Sequence, residues 1–208
     1  MSRKAAVRVR ALALAVAVLT ATAPAGAVFT FTSLGWSRSV TMRVGSTNST
    51  VQRVTFNVAN AAIAPNGGTQ ITGVPGNGAP ATTQPNGIDI VVNTTSTLGI
   101  LQTDTMTLSV NSATALSCVA GSGCGSTTIP FNTIGWTSYD TDDSGQDIQS
   151  GTFSGSATQQ IASYTTYVGL LGGRSVNMRN VLVFHYANAT LFPAGRYQGR
   201  VIYTATLL

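Results

Sequence analysis

The chain has 208 residues and a formal net charge of +5, yet it holds only 11 basic and six acidic residues. Arg3, Lys4, Arg8 and Arg10 all stand at the start, so the rest carries seven Arg against six Asp, with no Lys and no Glu. That near-neutral balance takes away the main support for a nucleic-acid partner. A polar surface built from Thr, Ser, Asn, Gln and Gly fits an extracellular β-protein better than a cytosolic enzyme.

The four basic residues precede an apolar run of Ala, Leu and Val over residues 11–20, followed by the small-residue site Ala25-Gly26-Ala27. This pattern predicts a cleaved signal peptide over residues 1–27 and a mature chain from Val28. The run is shorter than the ~20 residues a membrane-crossing helix needs, and no later segment is expected to cross. The expected destination is the periplasm, cell surface or medium of a bacterium. Residues 28–208 suit one domain, large enough to bury a core without a metal or many disulfides.

After the leader, alternation dominates. Phe29 and Phe31 alternate with Thr30 and Thr32, and Val40, Met42 and Val44 with Thr41 and Arg43. Val54, Phe56 and Val58 repeat the pattern, as do Ile88, Ile90 and Val92, then Met106, Leu108 and Val110. Between them, residues 60–87 are crowded with Gly, Pro and Asn. They predict a long exposed insertion with one short strand near residues 71–74, serving either as a tolerated surface loop or as a surface offered to a partner. No window shows a 3.6-residue period. The expected fold is all-β: an Ig-like antiparallel β-sandwich with long Gly/Pro/Asn-rich loops.

Cys118 and Cys124 flank a five-residue loop. In an exported chain they are expected to form a disulfide of local effect, since the spacing is not C-x-x-C and a single His cannot complete a metal set. Phe131 and Trp136 are expected in the core, with sugar stacking as the sharper alternative for Trp136; Trp36 is read the same way. The acidic turn over residues 140–147 is the one chemical cluster. Asp140, Asp142 and Ser144, followed by Gly145, match the first half of a calcium loop, and Asp147 could add a ligand. The twelfth position is Gly151, where that loop needs Glu. A solvated turn is therefore expected, with weak calcium binding as the alternative and no other cofactor. Glycosidic cleavage by the paired Asp residues of this turn lacks nearby aromatic platforms. His185, the sole histidine, falls on the strand face opposite Phe184 and Tyr186, a face pattern shared by Met178 and Leu182. Without a G-x-S-x-G elbow it predicts a structural or exposed role, not a catalytic one. Asn48 and Asn188 head glycosylation sequons.

Residues 193–208, PAGRYQGRVIYTATLL, predict a turn at Pro193-Ala194-Gly195 feeding one long terminal strand. Tyr197, Val201, Tyr203, Ala205 and Leu207 share its apolar face, with Tyr197, Val201 and Tyr203 as structural anchors. Pro193, Ala194, Gly195 and Tyr197, then Val201, Tyr203 and Thr204, resemble the closing segment of bacterial pilin-like subunits, broadly chaperone–usher and spore-coat-U-like proteins. The close spacing of the cysteines and the Gly/Pro-rich insertion differ from the common pattern of those families. The resemblance implies a non-catalytic surface-assembly subunit whose partners are itself or other surface subunits. It also implies polymerisation by β-strand addition, with Phe29 and Phe31 as donor positions. A self-contained, adhesin-like binding module and a secreted hydrolase are the other classes left open.

Overall fold

A computed structural model describes residues 38–45, 51, 53–63, 68–76, 83–96, 103–141, 145–167 and 174–208. The expected signal peptide, Phe29, Phe31, Trp36 and Asn48 lie outside these residues. The described chain is all-β, with helix limited to single 3₁₀ turns at Asn60–Ala62 and Phe131–Thr133. In chain order the strands are β1 (Arg38–Val44), β2 (Arg53–Thr55), β3 (Ile71–Thr72), β4 (Val74–Gly76), β5 (Ile88–Ser96), β6 (Thr103–Asn111) and β7 (Leu116–Cys118). There follow β8 (Thr128–Ile129), β9 (Ile134–Tyr139), β10 (Gly151–Thr152), β11 (Gln159–Tyr167), β12 (Arg174–Tyr186), β13 (Tyr197–Gln198) and β14 (Ile202–Leu207).

The larger sheet runs β1-β5-β12-β9-β10, and β3 adds to β12 beyond the end of β5. The smaller sheet runs β11-β6-β14, and two ribbons, β13-β7-β8 and β2-β4, complete the set. Every pairing is antiparallel. One apolar cluster joins the sheets: Met42, Ile90, Val92, Met178 and Leu182 from the larger meet Met106, Leu108, Val110, Ala205 and Leu207 from the smaller. This is compatible with a β-sandwich. Alternation produces it directly, because period-2 apolar residues place one apolar face on each strand. Each fully buried Leu, Ile or Met is worth about 1.5–3 kcal/mol.

Two strands depart from simple alternation. On β5, Asp89 and Val91 are buried as well as the inward Ile88, Ile90 and Val92. Here Arg179 on the neighbouring β12 donates from Nε (3.1 Å) and Nη2 (2.9 Å) to Asp89 Oδ1. On β12, Asn180 takes a core-facing position beside Met178 and Leu182 and is fully buried. Its Nδ2 donates to Asp147 Oδ2 at 2.7 Å, and its Oδ1 accepts from the Ile148 amide at 3.3 Å, so the amide keeps polar partners inside.

Three boundaries differ from expectation. The terminal strand is two strands, not one. β13 pairs with β7, the chain then changes partners through Gly199, and β14 pairs with β6. A Cβ on Gly199 would stand 3.0 Å from Leu116 Cγ and from the Phe131 ring, so the crossing is packed too tightly for a side chain. β2 closes at Thr55, leaving Val58 exposed. The stretch over residues 60–87 is also more than a loop, because it contributes β3 to the larger sheet and β4 to the β2 ribbon. Asn188, in left-handed backbone (φ 50°), ties this stretch down by donating from Nδ2 to the carbonyls of Ala62 (2.8 Å) and Thr69 (3.2 Å). The side-chain amide that its sequon would modify is thus buried and committed.

Candidate functional site

The two ends of the molecule differ. β12 begins at the end where Arg38 and Arg174 both pair with Ser96. Arg38 Nη2 there donates to Asp104 Oδ1 at 2.6 Å, linking β1 of the larger sheet to β6 of the smaller. β14 runs toward this same end, where the Leu208 and Thr105 backbones exchange hydrogen bonds of 3.0 and 2.9 Å.

The opposite end carries the disulfide. Cys118 and Cys124 are bonded, as expected. Their effect reaches beyond their own loop. The Val119 amide donates to the Arg196 carbonyl at 2.8 Å, and the Arg196 amide donates to Ser122 Oγ at 3.1 Å. Tyr197 pairs with Cys118 across β13 and β7, and its hydroxyl donates to the Pro193 carbonyl at 2.9 Å. Cys124 is buried, and a Cβ on Gly195 would stand 2.5 Å from its Sγ, so the turn lies directly on the disulfide. The bridge therefore holds residues 193–197, a segment far away in sequence. A disulfide of this kind fits an oxidising compartment outside the cytoplasm. No helix among the described residues is long and apolar enough to cross a membrane.

The remaining candidates disperse. Asp142 and Ser144 lie outside the described residues. Asp140 adopts left-handed backbone (φ 57°) and its carboxylate faces Arg179 Nη1 at 3.7 Å. Asp147 is buried, accepting from Gln149 Nε2 at 2.5 Å and from Asn180. The two described carboxylates of the calcium candidate thus serve different partners, one at the surface and one in the core. His185 Nε2 lies 3.1 Å from Thr137 Oγ1, and partial burial lowers its pKa by disfavouring the charged ring. Trp136 is buried against Phe153 (5.0 Å between rings) and donates from Nε1 to the Gln149 carbonyl at 2.8 Å. Phe131 meets Phe153 edge-on at 5.8 Å. Both aromatics are core residues, which leaves Trp136 no free face for a sugar.

What stands out is an edge. Along one flank both sheets finish in a strand with a single paired neighbour among the described residues: β1 on β5, and β14 on β6. β14 turns Ala205 and Leu207 inward, with Tyr203 and Val201 packed against the core. Desolvation raises the Tyr203 phenol well above its ordinary pKa. Outward, Thr206 meets Thr107 of β6 hydroxyl to hydroxyl at 2.5 Å. The second edge of β14 pairs with no strand among the described residues, and β1 of the larger sheet packs close alongside it. Alternation predicts the faces of this strand but carries no signal for its edge.

No protein-family model matches the chain, and neither a curated protein nor a solved structure matches it.

Proposed function

We propose that the chain is a secreted, non-catalytic surface-assembly subunit of pilin-like type, built on an Ig-like sandwich and polymerising by β-strand addition at the outer edge of β14. The observation that carries this is the strand order. In an Ig domain of the seven-strand type, one sheet is ordered A-B-E-D and the other pairs C, F and G. Here β1, β5, β12 and β9 follow the first order, and β6 and β14 stand as C and F, with β11, which falls between β9 and β12 in the chain, added on the far side of β6. The place of G, beside β14, has no strand among the described residues.

The chemistry of the edge supports the same function. Exposed edges are normally blunted by charge or Pro. Ile202–Leu207 contains neither, whereas β1 on the same flank carries Arg38 and Arg43. A strand laid beside β14 gains main-chain hydrogen bonds and sends alternate side chains toward the interior. Phe29 and Phe31, two residues apart, have the spacing for that inward face.

Sedimentation of the mature chain, beginning at Val28, tests the proposal. Polymers that persist in mild denaturant are expected. Deleting residues 28–32 should abolish them and leave the urea unfolding midpoint unchanged. A monomer at all concentrations would overturn strand addition and favour the self-contained binding module. An N-terminal deletion that unfolds the domain would place Phe29 and Phe31 in the subunit's own core.

A further inference from the structure

Arg43 is half-buried and unpaired. Arg38 is matched by Asp104, and Arg179 by Asp89 and Asp140, while Arg53, Arg196 and Arg200 stand exposed. Arg43 forms no ion pair with any described residue, and its Nε is buried without an acceptor, a costly state that an incoming acceptor would relieve. Strand register places it at the corner of a polar field on the outer face of the larger sheet. Three rows run across β1, β5 and β12: Ser39, Thr95 and Ser175; Thr41, Asn93 and Asn177; Arg43, Val91 and Arg179. The first two rows are exposed throughout and hold only hydroxyl and amide side chains. Together the rows cover about 10 by 14 Å. An open hollow of about 220 Å³ lies at the Arg43 corner, lined by Thr41, Met42, Arg43, Val91 and Asn93.

We propose that this field binds an acidic saccharide, with a carboxylate of the sugar on the Arg43 guanidinium and its hydroxyls on Thr41, Asn93 and Asn177. The charge selects the acid. Arg43 presents a planar fork of donors that a carboxylate matches, whereas Arg179 in the same row is already neutralised by Asp89 and Asp140. The field therefore takes one negative charge at one corner. A nucleic acid needs a series of cations along its phosphates. A protein partner needs buried aromatic or apolar anchors, and the two exposed rows contain none. Ser, Thr and Asn side chains each donate and accept, and so do sugar hydroxyls. No aromatic ring lies in the three rows, so charge and hydrogen bonds carry the binding without stacking. The site uses the outer face of the larger sheet and no edge of β14, so it holds whether or not the chain polymerises by strand addition.

The test is an NMR titration of the mature chain with trigalacturonate, with its full methyl ester and with inorganic phosphate. Trigalacturonate should shift the backbone amides of Thr41, Asn93 and Asn177 and the Arg43 Nε–H signal, with a Kd of about 1 mM. The ester keeps the ring hydroxyls and loses the charge, so it should bind about tenfold more weakly. Phosphate should shift the Arg43 signal alone, also about tenfold more weakly. Arg43→Gln should reproduce the loss seen with the ester, and its urea midpoint should not fall, because it removes a buried donor that had no acceptor. Asn177→Ala, two strands away, should weaken trigalacturonate about threefold and leave phosphate unaffected, which decides the matter even if Arg43→Gln does not fold. Equal binding of acid and ester would overturn the role of Arg43. Phosphate bound as tightly as trigalacturonate, or trigalacturonate binding indifferent to Asn177→Ala, would reduce the field to a simple anion site and overturn the saccharide. No shift at about 20 mM trigalacturonate would overturn the site altogether.

Discussion

Replacing Cys118 and Cys124 together with Ala tests how far the disulfide reaches. The cysteines are six positions apart, and closing so short a loop restricts the unfolded chain by about 2 kcal/mol in the chain-entropy treatment. If that were all, the native structure would hardly notice the loss. The folded state says otherwise, because the bridged loop grips Arg196 from both sides: the Val119 amide on its carbonyl and Ser122 Oγ on its amide. Each such bond contributes about 1 kcal/mol net. When the loop relaxes, both weaken, and the expected total loss is about 3–4 kcal/mol in urea unfolding under non-reducing conditions. Hydrogen exchange separates the two parts. The amides of Val119 and Arg196 should exchange far faster in the variant at fixed global stability. Those of Val92 and Met178, inside the larger sheet, should follow only the global change. A loss no larger than the roughly 2 kcal/mol of loop closure, with the Val119 and Arg196 amides unchanged, would refute the wider role and leave the disulfide as a clasp on its own loop.

Gly199→Ala should cost about 1–3 kcal/mol by overpacking, since the added methyl meets Leu116 and Phe131 at 3.0 Å; a neutral result in thermal unfolding would mean that the crossing between β13 and β14 can open. Arg38→Ala should cost about 3 kcal/mol, because it strips the guanidinium from the buried Asp104 carboxylate at the junction of the two sheets; a denaturation midpoint near the native value would show the link to be dispensable. His185 gives a pH test. Burial lowers its folded pKa, so the unfolded chain binds the proton more tightly. Its contribution is then fully present above the ordinary value near 6.5 and is lost as pH falls from there through the folded pKa. Stability measured across this window should fall for the native chain, and His185→Gln should flatten the slope; an unaltered slope would assign it to another group.

Much of the fold is legible in the sequence because alternation is a direct report on burial. Val40 and Met42, Ile88, Ile90 and Val92, and Met106, Leu108 and Val110 all follow period 2, and all are buried. Trp136 and Phe131 are legible as core, and the cysteine pair as a disulfide. Polar residues at core positions are not. Asn180 breaks the apolar series of β12, and nothing in the sequence says that Asp147 and Ile148, more than thirty positions earlier, would satisfy it. Asp147 in turn passes for a member of the acidic turn, because adjacency in sequence hides its burial. The division of the terminal strand is hidden for a related reason. Its alternation runs unbroken through Gly199, but the pairing partner changes there, and a face pattern does not register a change of partner.

That last point explains why the edge of a strand leaves so little trace in residue patterns. Side chains stand perpendicular to a sheet, so hydropathy along a strand reports which face is buried. Backbone hydrogen bonds lie in the plane of the sheet, and every residue except Pro presents the same groups there. A central strand and an edge strand can therefore share one alternating pattern. β6 and β14 do so: both alternate Thr or Ser with apolar residues, yet among the described residues β6 has paired neighbours on both sides and β14 on one. The sequence marks an edge only through what it places there to prevent pairing, namely charge, Pro or a bulge. β14 contains no such guard, and a strand left unguarded on a single-neighbour edge is either an aggregation hazard or a site kept open for a partner.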